Sequence, residues 1–353
     1  MKTDVSVSPS TLENASFRVT LDPKSGDVVS FYDKRHKREL FEPGKAGNRI
    51  QLFDDRPTAH DAWNIAIGDE KYLDRVGDAE IVESGPVRVT LKVSKQFNIS
   101  KFNHYLSLYE NYPQFEGRID VDWQERRVIA KLAFPLNLSS ESAWFEIPYA
   151  AIERRSVPRT LAEQAKWEVS AQKWVDYTDA SGAFGVSLLN NSKYGYDVKR
   201  NVLRMTLLRS PVSPDPVADR GAHSIPYALY PHPGDWRDAD TPRRGFEFNY
   251  PLIPWLAHPH PGRLPKEKSF FAAEPSNVIL TVVKKAEDSS RLVLRVFEAA
   301  GRDTTATITL PATPKSVVET NLLEEKIADV GFQGPKITVP VSHFEIKSFK
   351  VAF

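Results

Sequence analysis

Phe115-Glu-Gly-Arg-Ile-Asp-Val-Asp-Trp123 alternates apolar and charged side chains almost without interruption. Successive residues of an extended chain point to opposite faces. Phe115, Ile119, Val121 and Trp123 therefore share one face, and Glu116, Arg118, Asp120 and Asp122 the other. The stretch predicts a strand with one buried and one wet side. Asp120 and Asp122 read as part of that solvated face, beside Arg118 and Arg126. The same period of two runs through Val87, Val89, Leu91 and Val93, and through Phe17, Val19 and Leu21. Turn signals separate these runs: Asp22-Pro-Lys-Ser-Gly26, Ser84-Gly-Pro86 and Asn111-Tyr-Pro113. Helical periodicity is scarce. The stretch from Ala162 to Trp174, with Leu161, Ala165, Trp167 and Val169 as its apolar positions, predicts a short helix. The chain reads as all-β and mainly antiparallel, arranged in sandwiches that bury one face of each sheet.

A chain of 353 residues suits a large sandwich followed by a small one. Alternating His-Pro and Gly in Trp255-Leu-Ala-His-Pro-His-Pro-Gly-Arg-Leu-Pro265 disfavour both helix and ladder pairing. The predicted division is therefore a large domain over 1–257, a proline-rich linker over 258–268 and a small sandwich over 269–353. The small sandwich draws on Val278 to Val283, Leu292 to Phe297, Ala306 to Leu310, Ile337 to Val341 and Phe349 to Phe353. The formal net charge is +1, so bulk electrostatics give no reason to expect nucleic acid or an anionic membrane as partner. There are no cysteines, which excludes disulfides, thiolate nucleophiles and Cys-ligated zinc. The N-terminus lacks the apolar core of a signal peptide, and no apolar run approaches the roughly 20 residues of a membrane span. Together these features point to the cytoplasm. Phosphate-binding glycine loops and Gly-x-Ser-x-Gly are missing from the sequence.

Several motifs in sequence order resemble the C-terminal region of glycoside hydrolase family 38 α-mannosidases, in the cytosolic and vacuolar branch. Leu12-Glu-Asn-Ala-Ser-Phe-Arg-Val and Ser25-Gly-Asp-Val-Val-Ser-Phe-Tyr-Asp-Lys34 resemble its opening hairpin. Gln51-Leu-Phe-Asp-Asp-Arg-Pro57, Asp61-Ala-Trp63, Phe145-Glu-Ile-Pro-Tyr149 and Ala171-Gln-Lys-Trp174 follow. So do Gly185-Val-Ser-Leu-Leu-Asn190, Lys193-Tyr-Gly-Tyr-Asp197, Leu207-Leu-Arg-Ser-Pro211, Asp219-Arg-Gly221 and Tyr227-Ala-Leu-Tyr-Pro-His-Pro-Gly-Asp-Trp236. The resemblance implies a galactose mutarotase-like supersandwich. It also implies that the parent enzyme is a retaining hydrolase of terminal α-mannosides. In such enzymes zinc is held by a His-x-Asp pair, by an Asp that is also the nucleophile, and by a later His in a His-His-Asp context. Neither His-x-Asp nor His-His occurs here. No cofactor is expected in this chain, and zinc is expected in a separate catalytic barrel. The chain reads as a fragment, a deliberately cut piece or one product of a split gene, inactive alone.

Retaining hydrolysis needs two carboxyl groups about 5–5.5 Å apart, and no convincing pair stands out. Asn190-Asn-Ser-Lys-Tyr-Gly-Tyr-Asp197 is the best candidate for contact with a sugar. It follows a strand and presents amide, ammonium, phenol and carboxylate groups around Gly195, and strand-end loops commonly carry function. Asn190, Lys193, Tyr194, Tyr196 and Asp197 are the candidates there, with Asp219 and Arg220 implied to lie beside them. The same groups would equally serve to dock the barrel. His232, Asp235 and Trp236 form a second candidate, a stiff aromatic and acidic loop in which Trp236 serves either as a core anchor or as a sugar platform. Two other readings stay open: a carbohydrate-binding module, and an epimerase-like enzyme using an acid–base pair. The surface left for the barrel predicts either a partner chain or a homo-oligomer.

Overall fold

The computed structural model describes residues 4–353. It divides into two compact units, Met1–Phe145 with Glu153–Thr241, and Glu146–Ile152 with Pro242–Phe353. The division falls where a helix, Thr241–Asn249, begins, ahead of the proline-rich stretch. Residues 251–270 form neither strand nor helix, and Leu252, Ile253, Trp255 and Leu256 lie exposed within them. No helix of the described residues is long and apolar enough to cross a membrane.

The first unit contains a five-stranded meander at its start, a ten-stranded sheet and a six-stranded sheet. Phe115–Trp123 is a strand over its whole predicted length. It lies inside the ten-stranded sheet, between Ser100–Tyr109 and Gly221–Pro233, antiparallel to both. Its apolar set faces one continuous core. That core takes in Val89, Leu91 and Val93, as well as Phe17, Val19 and Phe31 of the meander. It also takes in Leu52, Ala130, Leu132, Leu203 and Met205 of the six-stranded sheet. Phe17, Phe31 and Phe115 meet edge to face at 5.2 and 5.3 Å, the arrangement their ring quadrupoles favour. Val87 departs from the expected pattern. It sits ahead of the strand Arg88–Phe97 and is exposed.

The helix expected over Ala162 to Trp174 is a single turn, Leu161–Gln164, closed by a capping box between Thr160 and Glu163. Strand pairing claims the remainder: Val169 pairs with Tyr196, and Trp174 with Leu189. Thr241–Asn249 is a helix that the apolar pattern did not announce. Its signal is Thr241-Pro242, a polar residue followed by proline in the first turn, where a missing N–H does no harm.

The second unit holds a four-stranded and a five-stranded sheet. All five apolar runs expected for it supply strands, and Val278, Leu294, Val296, Ile308, Ile337, Val339, Phe349 and Val351 build its core.

The first core encloses a polar tie. Tyr227 donates its hydroxyl proton to Asn48, and His104 Nε2 stands 2.7 Å from that same hydroxyl. Gly117 pairs with Tyr227 across the ladder, and a Cβ at this glycine would come within 2.0 Å of the phenol carbon that bears the hydroxyl. Gly117→Ala should therefore lower stability by about 1–3 kcal/mol through overpacking. An unchanged urea midpoint would refute this close approach. Burial, helped by the ammonium of Lys95, lowers the His104 pKa from 6.5 to about 3. The folded state thus resists a proton that the unfolded chain accepts. Stability should be full above pH 6.5 and should fall toward pH 3 by up to about 1.4 kcal/mol per pH unit. Denaturant titrations across that window check this, and His104→Gln should flatten the slope.

Candidate functional site

Val128-Ile-Ala-Lys-Leu-Ala-Phe-Pro135 is buried at every position. Alternation sends Ala130, Leu132 and Phe134 into the core and leaves Lys131 on the opposite face. There Lys131 lies opposite Thr206 on one neighbouring strand and Gln51 on the other. Its side chain is 0% exposed, so its charge must be matched within the protein. Its ammonium donates to Glu168 and, at 2.8 Å, to Asp197 Oδ2. Asp197 Oδ1 accepts from Arg204 Nε at 2.7 Å, and Thr206 donates to Glu168. Two cations and two carboxylates balance. The network anchors the segment carrying Glu168, and with it Trp167, over the polar face of the sheet.

A second wall is held as firmly. The Arg209 guanidinium donates to Asp55 Oδ2, to the carbonyls of Asp61 and Ala62 at 2.7 and 2.9 Å, and to that of Asn64. Asp55 Oδ1 accepts from the Ala66 N–H at 2.8 Å, and Asp61 Oδ2 from the Val212 N–H at 2.6 Å. His60 turns the loop with a positive φ of 54°. The loop is thus tied along its length, yet Trp63 within it is 73% exposed. Trp167 is 43% exposed. Both indoles line one cleft of about 510 Å³, together with Arg56, Asn64, Lys166 and Glu168. Lys199 Nζ lies 5.3 Å from the Trp167 ring centroid and helps hold that ring.

The structure gathers part of the first candidate group beside this sheet. Asn190 Oδ1 accepts from the Lys193 N–H at 2.8 Å, and its amide donates to the Gln172 carbonyl at 2.5 Å. Lys193 is half-buried. Burial lowers its pKa, and the nearby Asp219 carboxylate works the other way. Asp219 accepts from the Arg209 N–H at 3.1 Å, which ties this loop to the wall that carries Trp63. Tyr194 is 57% exposed. Arg220 is exposed and donates to Gln124 at 3.1 Å. Tyr196 and Asp197 are buried, Tyr196 in the hydrophobic core and Asp197 against Lys131.

His232, Asp235 and Trp236 lie elsewhere, on and beside the strand Gly221–Pro233 of the ten-stranded sheet. His232 Nε2 is 2.8 Å from Asp176 Oδ2 and 3.1 Å from Ser187 Oγ, with 1% of the residue exposed. Trp236 packs at 5.1 Å from Trp174 and 5.5 Å from Trp144, and it too is closed to solvent. Neither ring presents a face to a ligand. At Asp235, burial opposes ionisation, but the N–H and guanidinium of Arg237 and the N–H of Asp238 outweigh it and hold the carboxyl below the usual range.

Sequence reasoning passed over Lys131, Arg209, Trp63, Trp167 and Glu168. A lysine in the middle of an unbroken apolar strand was the available signal for the first. Trp63 had one as well, a large aromatic in the polar turn Asp61-Ala-Trp-Asn64. Among the described residues no three His, Cys, Asp or Glu side chains converge as metal ligands.

Residues 12–217 match the family model described as the glycosyl hydrolases family 38 C-terminal domain. Residues 277–349 match that of the family 38 C-terminal beta sandwich domain. The class defined by fold and matches together is the β-sandwich region of a glycosyl hydrolase. Relatives agree along nearly the whole chain. Alpha-mannosidase 2C1 of Mus musculus is 32% identical over 98% of this chain and 34% of its own length. Alpha-mannosidase G of Dictyostelium discoideum is 32% identical over 92% of this chain and 31% of its own. A crystal structure of an alpha-mannosidase from Enterococcus faecalis superposes with a TM-score of 0.82 at 15% identity, over 99% of this chain and 43% of that one. The chain belongs to glycosyl hydrolase family 38, as its C-terminal region. It spans about a third of the length of the curated relatives it matches.

Lys131→Met should leave Glu168 without its cation and the buried Asp197 with Arg204 alone, and lower stability by about 3 kcal/mol, because a broken buried pair leaves uncompensated charge. Hydrogen exchange should then accelerate first in 161–170. Uniform loss across the six-stranded sheet would contradict the anchoring role.

Proposed function

We propose that this chain is the C-terminal β-sandwich region of a retaining α-mannosidase, that it supports a catalytic barrel, and that it lends polar loop groups to the sugar pocket. The observation that carries the reading is the alignment of nearly all of this chain with the last third or so of full-length proteins named alpha-mannosidase. The exposed or half-buried groups Lys193, Tyr194, Asp219 and Arg220 are the ones free to meet the barrel or a mannoside. Asn190, Tyr196 and Asp197 hold that loop from beneath. His232 and Trp236 maintain the ten-stranded sheet, with Asp235 shaping the turn between them. The buried state of His232 speaks against an epimerase acid at that position.

The nucleophile and the zinc site fall to the barrel in this reading, since the described residues supply no ligand set. This chain's residues bind, orient and exclude water. No proton transfer or bond cleavage is assigned to them. The branch resemblance and the absence of cysteine favour a cytoplasmic location and a mannose-containing carbohydrate as substrate. A barrel chain or a second copy of this chain would cover the face meant for docking.

An aryl α-mannoside assay with added zinc tests the reading. The chain alone should give no turnover. Adding a family 38 barrel that is inactive by itself should restore turnover, and Arg220→Ala should reduce it. Turnover by the chain alone would refute the division of labour.

A further inference from the structure

The Trp63–Trp167 cleft has the chemistry of a sugar site. A pyranose presents apolar C–H faces and hydroxyl edges. Flat indoles suit the first, and charged or amide groups suit the second. Trp63 and Trp167 supply exposed aromatic surface. Arg56, Asn64, Lys166 and Glu168 line the same cleft and provide both donors and acceptors. A volume of about 510 Å³ lies within the range of roughly 300–1,000 Å³ that small-ligand pockets occupy. It has room for one or two sugar rings.

Pre-organisation separates this cleft from two tryptophans that merely happen to be exposed. The loop bearing Trp63 is pinned by Arg209, Asp55 and Asp61, while Trp63 itself stays exposed. The opposite wall is fixed through Glu168, which Lys131 and Thr206 hold from below. Two separate polar networks thus hold the segments that carry the exposed aromatic rings, and a rigid site loses less on binding. Neither network would require tryptophan at 63 or 167 for its own sake.

We propose that this cleft binds a mannose-containing oligosaccharide, with Trp63 and Trp167 stacking on its rings and Arg56, Asn64 and Lys166 donating to its hydroxyls. The choice of mannose rests on the α-mannosidase reading above. The existence of a sugar site does not.

The test uses this chain with α-methyl mannoside and a mannobiose, and with galactose for comparison. Binding is read by saturation-transfer NMR and by tryptophan fluorescence. Trp63→Ala and Trp167→Ala remove exposed rings, and unfolding midpoints verify that each variant keeps its fold. Saturable mannoside binding is expected, weakened about tenfold in each variant. The fluorescence change should be lost in step with the ring removed. No saturable binding by the parent chain, or equal binding by parent and both variants, would overturn the site. Galactose binding as tight as mannoside would overturn the mannose assignment. If both variants bind sugar normally but fail to restore turnover with the added barrel, the cleft is a protein interface and the proposal falls. Normal sugar binding with no restored turnover by the parent chain would strike the α-mannosidase reading alone.

Discussion

One buried ammonium organises the polar face of the six-stranded sheet. Lys131 sits in a strand with apolar neighbours on both sides, where an unpaired charge would be prohibitive. Its carboxylate partners come from different elements. Asp197 lies on the strand Gly195–Lys199, while Glu168 precedes the short strand Val169–Ser170 that forms the edge of the sheet beside it. Satisfying one cation therefore fixes the position of a segment that has little apolar surface of its own. Leu161–Gln164 buries no residue, and Trp167 remains partly exposed. The cover is held by charge and hydrogen bonds where other sheets in the molecule use packing.

Arg209 plays the matching part on the other wall. It replaces a hydrophobic anchor with a fork of donors that saturates backbone carbonyls of the Asp61–Asn64 turn. A planar guanidinium suits this task, because several carbonyls are met at once with little rotamer freedom left to lose. The Asp219 carboxylate, bonded to the main chain of the same residue, brings the 210–221 loop into the arrangement. Three motifs from distant parts of the sequence thus meet in one hydrogen-bonded arrangement.

Strands with one wet face were legible from period alone, as Phe115–Trp123, Thr304–Thr309 and Lys336–Val341 demonstrate. Strands buried on both faces were less so. Val128–Pro135 carries no alternation to read, and its lysine looks like an interruption until its partners are known. The proposed helix to Trp174 failed because cross-strand pairing outbid a weak local preference. The candidate site was legible only in part. Asn190, Lys193 and Asp219 do come together, since loops at the ends of neighbouring strands must. The cleft needs residues near 60 to meet residues near 167, and no local pattern encodes a contact at that separation. His232 and Trp236 show the converse difficulty. A polar aromatic motif looks the same in sequence whether it lines a groove or fills an interior.

The middle of the ten-stranded sheet joins Phe115–Trp123 to Gly221–Pro233. Strands so far apart along the polypeptide meet only after much of the chain is available, and such topologies organise slowly. During synthesis the hydrogen-bonding edge of the earlier strand must wait, unpaired, until its neighbour leaves the ribosome. The alternating charges of Glu116, Arg118, Asp120 and Asp122 keep its other face unattractive to foreign strands during that interval. The same acidic and basic residues that make the finished sheet wettable thus guard the nascent chain against aggregation.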